Sequence, residues 1–145
     1  MPGMRIVLSL IGGLAALALA GCAAQGEPAH SLAGSTWRFV TIDGSQATSP
    51  RATLEFAEDR VGANVGCNSM GGPWRIDQER LLAGPLAQTE MYCDGPVWKD
   101  EVAVATLLSA APQFELEGDR LVLRSSGHSA ELERIPESAA DSAKR

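Results

Sequence analysis

In the stretch ATLEFAEDRVGANVGCN, residues 52 to 68, Leu54 and Phe56 alternate with Glu55 and Ala57, Glu58-Asp59 makes a turn, and Arg60 opens a returning run. A period of two belongs to a strand with one buried face, and two such runs joined by a short polar turn make an antiparallel hairpin. The same punctuation recurs on either side. Upstream, STWRFVTIDG (35–44) sets Trp37, Phe39 and Thr41 against Arg38, Val40 and Ile42 and stops at the turn dipeptide Asp43-Gly44. Downstream, PWRID, RLLAG, FELEGDRLVLRSS and SAELERI are short runs separated by Asp/Gln, Gly-Asp and Ser-Gly signals, a meander of hairpins. Trp37 and Trp74 lie on alternating runs and are expected in the core.

One segment breaks the pattern. PVWKDEVAVATLLSAA (96–111) places Val97, Val104, Leu107 and Leu108 on one helical face, with Pro96 at a first helical position and Pro112 as the stop. Asp100 and Glu101 are expected to favour the positive N-terminal end of this helix. The fold class is therefore mainly β (α+β): an antiparallel curved sheet, or a partly open small barrel, with one packed α-helix.

The beginning of the chain bears on its location. Arg5 precedes an apolar run from Ile6 to Ala20, too short for a typical membrane span and of the length of a secretory h-region. Leu19-Ala20-Gly21-Cys22 resembles the bacterial lipobox, which implies cleavage before Cys22 and lipidation of that cysteine. Two or more acyl chains suffice for stable anchoring, and Ala23 in place of an aspartate favours the outer membrane, with the domain facing the periplasm. Residues 1–21 are thus expected to be a signal peptide, residues 22–34 a tether and residues 32–135 the domain. The polar tail 136–145 is expected to be disordered. His30 falls in the tether, where a solvated side chain is expected.

The 145 residues carry a net charge of −6, and without Arg5 the remainder carries −7. With no cluster of Lys or Arg to displace counterions, nucleic acid is not an expected partner. With Cys22 assigned to lipid, Cys67 and Cys93 remain as an even pair in an oxidising compartment, and a disulfide is the default reading. Such a bridge contributes roughly 3–4 kcal/mol on the chain-entropy account.

The glycine-rich loop VGANVGCNSMGGPW (61–74) invites chemistry. Its glycines at 62, 66, 71 and 72 match no phosphate-binding motif, and no lysine follows. Ser69 stands one residue too far from Gly66 for a nucleophile elbow. Catalysis by Ser69 would draw on His128, which sits in a Ser-Gly-His-Ser turn. Catalysis by Cys67 would need a free thiol. Two cysteines and one histidine give no recognised zinc spacing. Glu90, Asp94, Asp100 and Glu101 are expected to form a solvated acidic face. No cofactor and no metal are expected. As structure, the glycines permit a bulge or a turn with positive φ that delivers Cys67 toward Cys93.

These segments together resemble the META domain family of HslJ-like bacterial lipoproteins over about residues 32–135. The resemblance rests on Gly66-Cys67-Asn68 and on Thr89-x-Met91-x-Cys93, with Tyr92 where the family usually has alanine. It implies a small mixed β fold with one helix, an envelope location, a link to heat or antibiotic stress, and no established catalysis. The expectation is a monomeric, non-enzymatic outer-membrane lipoprotein, attached at Cys22, that binds another envelope component, a protein among the candidates. A hydrolase using Ser69 or Cys67 is the alternative.

Overall fold

Alternating burial builds the strands. In β1 (Ser35–Ile42), Trp37, Phe39 and Ile42 are buried and Arg38 is exposed; in β3 (Thr53–Phe56), Leu54 and Phe56 are buried around an exposed Glu55. The computed structural model describes residues 32–137. Within them the chain continues through β4 (Arg60–Asn64), β5 (Ser69–Asp77) and β6 (Arg80–Ala83). A helix, α1 (Gly95–Ser109), follows, and then come β8 (Gln113–Glu117), β9 (Arg120–Arg124) and β10 (Ser129–Ile135). Two short strands are accessory: β2 (Ser45–Gln46) pairs with β1, and β7 (Ala87–Gln88) pairs with β5. At the β1–β2 turn, Asp43 and Gly44 both adopt positive φ, the backbone that a two-residue hairpin requires.

Each long strand pairs antiparallel with the next in sequence, and β10 returns to β1, so eight strands close into a barrel. The closing seam runs from Thr36↔Ile135 to Ile42↔Ala130, with a register shift between Phe39 and Thr41. Closure removes the sheet edges that an open sheet would leave exposed. Of the two expected arrangements, the small barrel with one helix is the one formed, and it is closed. Its thinnest seam lies between β6 and β8, where the one ladder pair is Arg80↔Gln113. Hydrogen bonds from Leu81 N–H to Pro112 O (2.9 Å) and from Phe114 N–H to Glu79 O (3.1 Å) extend it.

Because the strands alternate in direction, the barrel has two distinct ends. One end holds the start of β1, the turns after β3, β5 and β8, and the end of β10. The other holds the loop between β4 and β5, β7 and the start of α1, while the segment after α1 comes back beside the start of β6, where Arg80 Nη1 donates to Ala111 O at 2.8 Å. Val104, Leu107 and Leu108 of α1 join the core formed by Trp37, Leu54, Phe56, Leu81, Leu121, Leu123 and Leu132. Trp74 also belongs to this core and meets the Phe56 ring edge-on at 4.9 Å.

Leu32, where the expected tether (22–34) and domain (32–135) overlap, is fully buried, and Gly34 N–H bonds Phe56 O at 2.7 Å. Two sequence expectations need correction. Val97 is only partly buried, and the buried face of α1 instead takes in Ala103 and Glu101. The first turn of α1 contains no acidic residue, so neither Asp100 nor Glu101 serves the helix N-terminus. The expected signal peptide, Cys22, His30 and nearly all of the tail lie outside the described residues. Among the described residues no helix is long and apolar enough to cross a membrane.

Candidate functional site

The site is assembled from the β4–β5 loop, the segment after β7 and one turn of α1. Gly66 begins it with a φ of +137°, a conformation that side chains disfavour. A Cβ there would also come within 3.1 Å of both Ser49 and Val97. Asn64 Oδ1 accepts the Gly66 N–H at 3.0 Å and holds the turn. Cys67 then meets Cys93 in a disulfide with Cα atoms 6.4 Å apart.

Asn68, 1% exposed, is the hub. Its Oδ1 accepts from Met91 N–H at 2.7 Å and from Thr89 Oγ1 at 2.8 Å. Its Nδ2 donates to Met91 O at 3.0 Å and to Glu101 Oε1 at 2.7 Å, and approaches Cys93 Sγ at 3.4 Å. The Asn68 backbone N–H donates to Glu101 Oε2 at 2.9 Å. Thr89 is reciprocal with the neighbouring strand: its N–H bonds Ser69 O at 3.0 Å, and its Oγ1 accepts Ser69 N–H at 3.1 Å. All six motif residues, Gly66, Cys67, Asn68, Thr89, Met91 and Cys93, thus fall in one cluster.

Glu101 is the member that sequence reasoning placed wrongly. It is fully buried, and its carboxylate accepts from Asn68 twice and from Gln88 Nε2 at 3.0 Å. A buried carboxylate is tolerable when several N–H donors satisfy it. The acidic face expected from Glu90, Asp94, Asp100 and Glu101 is accordingly divided. Asp100 Oδ2 accepts the Thr48 N–H at 2.7 Å, while Glu90 and Asp94 are exposed. Two consecutive acids of α1 therefore tie two loops of this barrel end to the helix. A signal for Glu101 was present: it lies four residues after Val97, three before Val104 and seven before Leu108, on the apolar stripe.

The nucleophile candidates are engaged elsewhere. Ser69 Oγ accepts from Asn64 Nδ2 at 3.0 Å, and His128 Nδ1 lies 2.9 Å from Asp43 Oδ2, so the two do not form a Ser–His pair. His128 is a partnered turn residue, not a freely solvated one. Cys67 Sγ, Cys93 Sγ and a Glu101 oxygen lie within 4.8 Å of one another. In the disulfide form the sulfurs are bonded to each other; only after reduction would this trio offer two thiolates and a carboxylate to a metal.

Outside the hub the surface opens into a cleft of about 780 Å³, lined by Asn68, residues 88–95 and Trp98. Of the large apolar side chains exposed on the described surface, Met91 (57%), Tyr92 (91%) and Trp98 (47%) line it, and Val102 (43%) follows Trp98 by about one helical turn. Glu90 and Asp94 are its charged lining residues, and no Lys or Arg lines it.

Fold and site together define a small closed antiparallel β-barrel with one end locked by a helix, a disulfide and a buried asparagine–carboxylate pair. The chain belongs to the META domain family, whose model matches residues 30–138. Two solved structures, both determined by NMR, are similar to it. One matches with a TM-score of 0.65 at 20% identity, covering 72% of this chain and 92% of the other. The second, a protein from Burkholderia xenovorans, matches with a TM-score of 0.60 at 19% identity over 75% of this chain and 87% of its own. At such identities the likeness concerns the fold. No curated protein matches the chain.

Proposed function

We propose that this chain is a lipid-anchored, non-enzymatic binding module of the outer membrane that recognises another envelope component in the cleft beside Asn68. The observation that carries this reading is the gathering of the exposed side chains of Met91, Tyr92 and Trp98 along one cleft. Exposed apolar side chains clustered in this way, with a polar rim, mark interaction sites. The lipobox at Leu19–Cys22 supports the anchor. Support also comes from the topology: β1 starts at one barrel end and the cleft lies at the other, so a chain tethered through Cys22 would present the cleft away from its membrane. The engagement of Cys67 in a disulfide and of Ser69 with Asn64 supports a non-enzymatic role.

Three measurements test this. Cys22→Ser is expected to leave the protein unprocessed or released from the membrane fraction; an unchanged, mature, membrane-bound variant refutes the anchor. Iodoacetamide added to native, unreduced protein is expected to leave Cys67 unmodified, whereas alkylation there would favour a thiol hydrolase. A Tyr92→Ala/Trp98→Ala variant is expected to keep its melting temperature and to fail in restoring heat or antibiotic tolerance to a deletion strain. Full restoration would refute the cleft.

A further inference from the structure

We propose that the segment Thr89–Cys93 is an open strand edge that captures an extended, basic segment of polypeptide by backbone pairing at Glu90 and Tyr92. The inference rests on reading the cleft as a binding site, and it names the occupant and the way it is held.

The geometry comes from what Asn68 does to Met91. A carboxamide that accepts the Met91 N–H at 2.7 Å and donates to the Met91 carbonyl at 3.0 Å stands in for one residue of a neighbouring strand. With Thr89 N–H bonded to Ser69 O at 3.0 Å, residues 89 and 91 direct their peptide groups inward, continuing the β5–β7 ladder. In an extended chain the intervening residues direct theirs to the opposite side. An extended course through these residues would turn the N–H and C=O groups of Glu90 and Tyr92 outward, and no hydrogen bond among the described residues engages them. Closure of the barrel removes the edges of the main sheet and leaves two short ones among the described residues, at β2 and here. Natural edges are commonly blunted by lysine, proline or a bulge. Residues 89–93, TEMYC, contain neither Lys nor Pro.

The occupant follows from the donors and the charge. Alternating unpaired donors and acceptors are what an added strand satisfies, with pockets beside the edge reading alternate side chains. Glu90 and Asp94 are the charged lining residues, so basic side chains on the incoming strand find carboxylates. The Tyr92 and Trp98 rings offer further faces to a cation, and Met91 offers apolar contact. A second copy of this chain would bring another Glu90 and Asp94 to the same place within a chain of net charge −6, which like-charge repulsion opposes. A glycan could stack on the rings but would leave the peptide groups of Glu90 and Tyr92 unpaired by a matching ladder.

Amide hydrogen exchange followed by NMR on the full chain in detergent micelles tests the inference. The probe is a short synthetic peptide alternating lysine and valine. It is compared with the same peptide N-methylated at alternate residues, with a version carrying glutamate for lysine, and with a chito-oligosaccharide. The lysine peptide is expected to slow exchange of the Glu90 and Tyr92 amides, with an affinity that falls as salt is added. N-methylation is expected to weaken it about tenfold, as loss of one hydrogen bond would, and the glutamate peptide is expected not to bind. Tyr92→Pro removes the outward N–H while leaving the Asn68–Met91 pairing, and Glu90→Lys reverses a rim charge away from the helix N-terminus. Both are expected to abolish or weaken binding at unchanged melting temperature. If Tyr92→Pro does not fold, the N-methylated peptide on the unmodified chain decides. Equal binding of the N-methylated peptide, binding without protection of Glu90 and Tyr92, or no binding of the lysine peptide at about 1 mM overturns the inference. Capture of the oligosaccharide alone also overturns it and leaves the cleft reading standing, since that reading fails only if the Tyr92→Ala/Trp98→Ala variant restores tolerance.

Discussion

Asn68 does what neither an aspartate nor a leucine of similar size could do. Its carboxamide accepts on one side, from Met91 and Thr89, and donates on the other, to Met91 and Glu101. Asn68→Asp would remove both donations and set a second carboxylate against Glu101 in a buried place. It is expected to lower stability by about 3–5 kcal/mol, the range for an uncompensated buried charge, read from urea denaturation at neutral pH. Glu101→Gln would turn an amide N–H toward the donors of Asn68 and Gln88 and is expected to cost about 1–3 kcal/mol. A midpoint unchanged by Glu101→Gln would show that the carboxylate is solvated, as its sequence neighbourhood first implied. Cys67 and Asn68 were legible because a cysteine and an asparagine beside glycines at a turn have local reasons for being there, whereas Thr89 and Met91 were marked only by the family resemblance. Gln88 and Glu101 have no such local reason. Only the position of Glu101 on the apolar stripe of α1 hinted at burial.

At the level of the elements, α1 and β5 carry the packing. Leu107 and Leu108 were expected on the sheet side of the helix, and both are buried at 1% exposure. Leu108→Ala is expected to cost about 2–5 kcal/mol, and an unshifted denaturation midpoint would contradict its place in the core. On β5 a Cβ added at Gly72 would fall on the Pro85 carbonyl. Gly72→Ala is therefore expected to destabilise by about 1–3 kcal/mol, as overpacking does, and a neutral effect in thermal melts would show that the Pro85 segment yields freely. The strands and their turns were readable from alternation and from pairs such as Asp43-Gly44. The boundary of α1 and the side it buries through Val104, Leu107 and Leu108 were read nearly correctly, but Val97 lies beside the Gly66 turn instead of in the core. β2 and β7, two residues each, are too short to leave any periodic signal.

For the whole molecule the disulfide is one tie among several. Cys67 and Cys93 are separated by 26 positions, and their bridge joins the β4–β5 loop to the start of α1. Cys67→Ala and Cys93→Ala are each expected to lower stability by about 2–5 kcal/mol. The double variant should lose little more than either, since one change already removes the bridge. Additive losses in denaturant melts would show that each side chain has a separate packing role. The seam between β1 and β10 does not involve the cysteines. Reduction is therefore expected to leave a folded barrel, visible as retained near-UV circular dichroism.

Local chemistry in the sequence settled the strand runs, the turn dipeptides, α1 and the pairing of the two cysteines. Each depends on neighbours a few residues apart, or on a residue type with one dominant use. Closure of the barrel depended on more: strand tilt and register accumulate over eight strands until Thr36 meets Ile135, and no short window contains that sum. Burial of Glu101 likewise required the β4–β5 loop and the segment after β7 to reach the same turn of α1. The exposed edge at Glu90 and Tyr92 exists only because Asn68 occupies the inner side of Met91. Those features were decided by tertiary structure, because each is a meeting of groups far apart along the chain whose polar atoms had to be satisfied together.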